Sequence, residues 1–338
     1  MRMNEHIPKA AFAGGSQQLI DKVWGPQQLD ALRSRCEIYP HRLHINNLEE
    51  HADVLPTLEY LFSTWSMPQY SHAQLERFPN LKAVFYAAGS VQQFARPFLQ
   101  SNIRVFSGWA ANAIPVAEFS LGQILLSCKG YFRNTRDCRA RGGDTSIPAH
   151  SGPGIYSSTV AIIGFGMIGR KLADLLRPFS MKVLVVDPYV TDEVLHAHGA
   201  VRATLEEAFS TATVVSNHLP NLPATENMLN GALFRKLQPY ATFVNTGRGK
   251  QVREDELIEV LQERQDLTAL LDVTYPEPPA ADSPFHTLPN VQLSSHIAGS
   301  IGVEVHRMAD FMMEEFDLLT RGEPTRYEVT EAMLETMA

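Results

Sequence analysis

The chain has 338 residues, long for a single core and suggestive of two domains. Hydrophobic residues make up 44% and charged residues 20%, ordinary for a globular protein, and the formal net charge of −8 argues against a nucleic-acid partner. No run reaches the ~20 apolar residues that span a bilayer, so no membrane partner is expected.

The N-terminal stretch MRMNEHIPKAAFAGG has no apolar signal-peptide core. Cys36, Cys128 and Cys138 form no CxxC pair. Together these point to the cytoplasm. The first hundred residues are irregular in pattern, but LEYLFSTW and LKAVFYAAG read as strands, with HAQLERF between them as a helix entered at Ser71. IPVAEFSLGQILLSCKGYF reads as a long apolar helix opening at Pro115, where proline is tolerated. It serves either as a core helix joining two domains or as a face buried against a second subunit. RARGGDTSIPAHSGPGIYSS reads as an ordered loop.

Beyond it, TVAIIGF, MKVLVVD, ATVVSNHL, YATFVNT, LTALLDVT and NVQLSSH read as buried strands. Amphipathic segments such as RKLADLLRPF and EDELIEVLQERQ lie between them. That alternation predicts an α/β fold with a doubly wound parallel sheet of the Rossmann type, preceded by a smaller α/β domain. The last helix, VEVHRMADFMMEEFDLLTRG, follows the final strand and is expected to pack on the first domain.

TVAIIGFGMIGRKLADLL joins strand to helix through Gly164, Gly166 and Gly169. This spacing suits a tight turn, close approach of a pyrophosphate and close helix–strand packing. The amides of Met167 and Ile168 then open a helix whose dipole favours phosphate. The next strand ends in Asp187, at the distance expected of a carboxylate that holds the adenine ribose hydroxyls. PYVTDEVL after it contains no Arg or Lys for a 2′-phosphate, which favours NAD over NADP.

Three further polar residues follow strands, where ligands of open α/β sheets bind. YATFVNT leads into Thr246-Gly247-Arg248-Gly249, an arginine free to grip a carboxylate in two places or to form a structural ion pair. LTALLDVT leads into Tyr275-Pro276-Glu277-Pro278-Pro279, where prolines fix the direction of Glu277, in isolation an ordinary solvent-facing residue. NVQLSSH ends in His296. No HExxH motif or cysteine cluster supports a metal site, and His196 and His198 diverge on a probable helix. As a set, Arg248 binds a keto-acid carboxylate, His296 exchanges the proton, and Glu277 orients the imidazole and favours its charged form.

Taken in order, GFGMIG, Asp187, HLPNLPATENML, NTGRGKQV, DVTYPEPP and SSHIAG resemble the NAD-dependent D-2-hydroxyacid dehydrogenases, from about LKAVFYAAG to SSHIAGS. The resemblance implies Arg248, Glu277 and His296 as catalytic residues. It implies cofactor contacts at Met167, Ile168, Asp187, Leu219, Thr225, Thr246 and Asp272, with Asp272 on the nicotinamide carboxamide. It also implies a discontinuous flavodoxin-like substrate domain (1–112 and 305–338), an NAD-binding domain (113–304), and a homodimer built on the helix that IPVAEFSLGQILL resembles. The small-molecule partner would be a 2-hydroxy or 2-keto acid. Where the family often has a GxGxD-like turn, this chain reads Ala88-Gly89-Ser90-Val91-Gln92-Gln93, so Gly89 and the amides of Ser90 and Val91 are the substrate-loop candidates. Thr274 and Tyr275 replace the family's aromatic-led start of the glutamate loop. Trp109, Tyr275 and Tyr86 are candidates either for a pocket that takes a bulky side group or for core.

No tyrosine has a lysine four residues on, as short-chain reductases require, and Lys250 is followed by Gln251, unlike a nucleotide triphosphatase loop. The remaining rival is an NAD-sensing, corepressor-like binding protein of the same fold.

Overall fold

The computed structural model describes residues 6–143 and 152–337. Part of the loop expected over RARGGDTSIPAHSGPGIYSS falls outside them. The strands in chain order are β1 (Lys9–Phe12), β2 (Glu37–Ile38), β3 (Tyr60–Ser63), β4 (Ala83–Tyr86), β5 (Arg104–Ser107), β6 (Thr159–Ile163) and β7 (Lys182–Val186). They continue as β8 (Ala200–Arg202), β9 (Val214–Asn217), β10 (Thr242–Asn245), β11 (Thr268–Leu271), β12 (Val291–Leu293) and β13 (Glu328–Val329). The chain divides into two compact units, one of residues 1–112 and 300–338, the other of 113–299. The return to the first unit therefore comes at Ser300, earlier than the residue 305 expected from the sequence.

In the first unit six strands run in the order β13-β5-β4-β3-β1-β2, all parallel except β13, which pairs antiparallel with β5. Neighbouring residues on a strand face opposite ways, and the sequence uses both faces. Leu61, Val84 and Val105 join one core with Tyr70, Phe78 and Phe98. Phe62, Phe85 and Phe106 join the other with Trp24, Met308, Met312 and Phe316. Phe85 stacks on Phe106 at 4.9 Å and meets Phe316 edge-on at 5.5 Å. Phe316 belongs to the helix Val305–Thr320, so the C-terminal helix covers this sheet as expected.

The second unit is a seven-stranded parallel sheet in the order β12-β11-β10-β9-β6-β7-β8. Its β-branched strands are buried on both faces, as a parallel sheet clothed in helices requires. Strand order reverses between β6 and β9, and the crevice at such a reversal is the usual ligand position.

One expectation is corrected. The helix does not open at Pro115; it runs Trp109–Cys128 with the proline inside. Trp109-Ala110-Ala111-Asn112-Ala113 extends the helix upstream, since alanine carries the highest helix propensity. The missing Pro115 amide leaves the Ala111 carbonyl without its intrahelical donor.

Candidate active site

The glycine turn assigns a separate task to each glycine. Gly164 has φ +90°, and a Cβ there would stand 2.7 Å from the His218 carbonyl oxygen, so only glycine fits between β6 and β9. A Cβ on Gly169 would lie 2.4 Å from the Gly164 carbonyl, so the helix Met167–Leu176 packs directly on its own strand. Gly166 differs: no atom lies within 4 Å of its notional Cβ. It caps the helix in extended conformation, with Met167 exposed beyond it. The turn is thus tight where it must pack and open where a pyrophosphate would rest, which fits a dinucleotide.

Asp187 follows β7, and its carboxylate accepts from the Phe165 amide at 2.7 Å and the Tyr189 amide at 2.9 Å. It ties the glycine turn to the next loop and keeps lone pairs for ribose hydroxyls. The structure also reveals a cation that the segment after Asp187 does not contain. Arg202, at the end of β8, donates to the Asp187 carbonyl at 2.7 Å, to the Val190 carbonyl, and to Asp192 at 2.8 Å. Its donors are engaged by this loop.

At the ends of β9 and β10, Thr246 is buried with its hydroxyl 3.2 Å from His218 Nδ1. His218 Nε2 lies 2.9 Å from the Ser216 hydroxyl, and burial pulls its pKa down to about 3, so the ring is neutral. The Leu219 amide donates to Asn217, and the Thr225 hydroxyl turns back to the Pro220 carbonyl at 2.6 Å. Sequence reasoning passed over His218 because its partners lie on two different strands.

Arg248 sits in an extended conformation before the turn Gly249–Gln251. Its amide donates to Gln251 Oε1 at 3.0 Å and its Nη1 to the Gly247 carbonyl at 2.7 Å. Among the described residues Arg248 forms no salt bridge, which disfavours the structural ion-pair alternative. Burial lowers its pKa from the ordinary value, and the Glu277 carboxylate opposes that shift.

His296 and Glu277 meet as the sequence expects, Nδ1 to Oε1 at 2.7 Å, each side chain still partly open to solvent. The proton between them belongs on Nδ1, because a carboxylate accepts, and Nε2 is left for a ligand. His296 has φ +57°, unusual for a side-chain-bearing residue, and the cause is Asp272. The Asp272 carbonyl accepts the His296 amide at 3.0 Å. Its buried carboxylate accepts from the Ser294 hydroxyl at 2.6 Å and from the Ile297 and Ala298 amides at 2.8 and 2.9 Å. In the structure, therefore, Asp272 shapes the turn that presents the imidazole. A cavity of about 660 Å³ is bordered by Asp272, Thr274, Glu277, His296, Pro278 and Leu293, among others, and Arg248 is not on its wall.

The substrate-loop candidates lie in the first unit, after β4. Gly89 is half-buried, Ser90 exposed, and Val91 fully buried in the core. The Ser107 hydroxyl fixes this loop through the Ala88 and Gly89 carbonyls at 3.0 and 2.6 Å. Tyr86 is core, Trp109 packs edge-on to Tyr327, and Tyr275 alone of the three aromatic candidates is exposed. Among the described residues no group of His, Cys, Asp and Glu has a metal-binding arrangement.

Residues 121–298 match the family described as D-isomer specific 2-hydroxyacid dehydrogenase, NAD binding domain. The chain belongs to that family. Its cofactor is NAD, and residues 121–298 form the domain that binds it. A (S)-sulfolactate dehydrogenase of Chromohalobacter salexigens is 31% identical over 232 residues, 67% of this chain and 73% of its own. A D-3-phosphoglycerate dehydrogenase of Haemophilus influenzae is 31% identical over 232 residues, 67% of this chain and 55% of its own. The chain spans only part of several other relatives: 61% of one from Bacillus subtilis and 30% of a chloroplastic D-3-phosphoglycerate dehydrogenase of Arabidopsis thaliana. Among solved structures, a phosphoglycerate oxidoreductase from Rhizobium etli superposes with a TM-score of 0.80 at 24% identity, covering 96% of this chain and 99% of its own, a likeness of fold.

Proposed function

We propose that the protein is an NAD-dependent dehydrogenase that interconverts a D-2-hydroxy acid and its 2-keto acid. The observation that carries this reading is the 2.7 Å pair of His296 Nδ1 and Glu277 Oε1 at the edge of a cavity, with Arg248 in the same unit and, among the described residues, in no salt bridge. Bound NADH supplies the hydride. The amides of Met167 and Ile168 above Gly164, Gly166 and Gly169 hold its pyrophosphate, and Asp187 holds its ribose. Leu219, Thr225, Thr246 and Asp272 line the path toward the nicotinamide.

Arg248 grips the substrate carboxylate and polarises the adjacent carbonyl, its guanidinium strengthened by partial burial. His296 Nε2 gives its proton to the oxygen that becomes the hydroxyl, and takes it back in oxidation. Glu277 fixes the tautomer and the ring orientation throughout.

The three unpaired thiols, Cys36, Cys128 and Cys138, suit the cytoplasm. No described helix is long and apolar enough to cross a membrane. Half-exposed apolar residues of the helix Trp109–Cys128, Leu126 among them, suit a homodimer through that helix.

The test is NADH consumption against a panel of 2-keto acids from glyoxylate to phenylpyruvate, with His296→Gln beside the wild type. Turnover of one keto acid that falls about 100- to 10,000-fold in the variant is expected. Near-normal turnover in His296→Gln would overturn the acid–base assignment.

A further inference from the structure

Glu254 is the first residue of the helix Glu254–Glu263, where a carboxylate commonly complements the helix dipole. Asp255 and Glu256 stand in the same turn and already serve that purpose. Glu254 does something they do not: its Oε1 accepts the Tyr275 amide hydrogen at 2.7 Å. We propose that Glu254 is a positioning residue that clamps the Glu277 loop onto the Arg248 turn, an inference that rests on the reaction proposed above.

The other hydrogen bonds of the loop are local or lead to His296: the Thr274 hydroxyl donates to the Pro276 carbonyl at 2.8 Å, and Glu277 pairs with His296. Prolines at 276, 278 and 279 bring no amides. Among the described residues the Tyr275 N–H is the only backbone donor of 274–279 in a hydrogen bond. The two segments are also in direct steric contact. A Cβ on Gly249 would lie 2.0 Å from the Thr274 carbonyl carbon and 2.4 Å from the Tyr275 nitrogen, so backbone rests on backbone. Lys250 Nζ sits 4.8 Å from the centre of the Tyr275 ring, a second contact between the same two segments. The Arg248 turn is itself rigid, since Gln251 accepts from the Arg248 and Asn217 nitrogens and donates to the Leu219 and Pro220 carbonyls. Glu254 follows that turn closely in sequence, and Tyr275 stands two residues before Glu277. One carboxylate therefore sets the spacing between the group that binds substrate and the group that orients His296. Burial pushes its carboxyl up to about 7, a cost that an exposed glutamate at a helix start would avoid.

The experiment compares Glu254→Ala and Glu254→Gln in the full chain. It uses steady-state kinetics with NADH and the keto acid turned over best, thermal melting, and hydrogen–deuterium exchange of the peptide covering 274–279. Glu254→Ala should lose kcat by about 10- to 100-fold, the scale of a misplaced catalytic group, with the KM for NADH unchanged. Exchange at Tyr275 should rise. Glu254→Gln keeps an acceptor oxygen for the Tyr275 amide and should restore most of both. Unchanged exchange in Glu254→Ala, or full kcat there beside an inactive His296→Gln, would overturn the clamp while leaving the reaction standing. Equal losses in both variants with lowered melting would overturn it too, by assigning Glu254 a merely structural role. If the wild type reduced no keto acid, the reaction and the positioning role would fall together, even if exchange showed the two loops joined.

Discussion

His218 offers a quantitative test of how the base of the cofactor site is built. Among the described residues its ring nitrogens meet only hydroxyls, Ser216 at 2.9 Å and Thr246 at 3.2 Å, in a buried position. A free imidazole titrates near about 6.5, whereas the folded one is held down to about 3. Between those values the unfolded chain binds a proton that the native chain refuses. Stability from this residue is therefore complete above about pH 6.5 and declines as the pH falls, levelling off below about pH 3. At about pH 5 the unfolded state gains about 2 kcal/mol from this one proton. The assay is urea unfolding of the wild type and His218→Gln at about pH 8 and about pH 5. Other titrating groups cancel in the double difference. The wild type should lose about 2 kcal/mol more than the variant over this interval. Identical pH dependence in the two proteins would refute the neutral, buried histidine.

The glycine turn predicts a contrast. Gly169→Ala must push the helix off its strand and should cost about 1–3 kcal/mol of stability as well as NADH affinity, measured by melting and by fluorescence titration. Gly166→Ala meets no neighbour and should melt like the wild type while binding NADH more weakly, because the Cβ fills the space left for phosphate. Asp187→Ser should lose the preference for NADH over NADPH, read as the ratio of kcat/KM values; an unchanged ratio would remove the ribose assignment. Glu277→Gln should lower kcat by about tenfold or more, with NADH binding intact, since the imidazole loses its charged anchor.

The second unit was legible because its strands are β-branched runs long enough to declare themselves and its helices carry apolar residues at regular spacing. In the first unit LEYLFSTW, LKAVFYAAG, the helix entered at Ser71 and the C-terminal helix were legible as β3, β4, His72–Leu75 and Val305–Thr320, and the rest was not. KAAF of β1 is rich in alanine, a poor strand former, yet becomes an interior strand because β2 and β3 pair with it on both sides. The two residues of β13 have no pattern of their own and exist only by pairing with β5. Pro115 marked a helix start by local preference and was overridden by the alanines before it. In the site, His296 and Glu277 were readable as motifs and are paired in the structure. The Asp272 contacts to Ser294, Ile297 and Ala298, the Glu254 bond to Tyr275 and the approach of Arg202 join residues about ten or more positions apart, and periodicity in sequence carries no signal for them.

The proposed function turns on hydride transfer to C2 of a keto acid with His296 supplying the proton. Its most direct test uses NADH deuterated at both C4 positions with the keto acid turned over best, followed by mass and chiral analysis of the product. The expected product is a 2-hydroxy acid of D configuration carrying deuterium at C2, formed by the wild type and lost in His296→Gln. No label in any product, with NADH binding verified by titration, would contradict it.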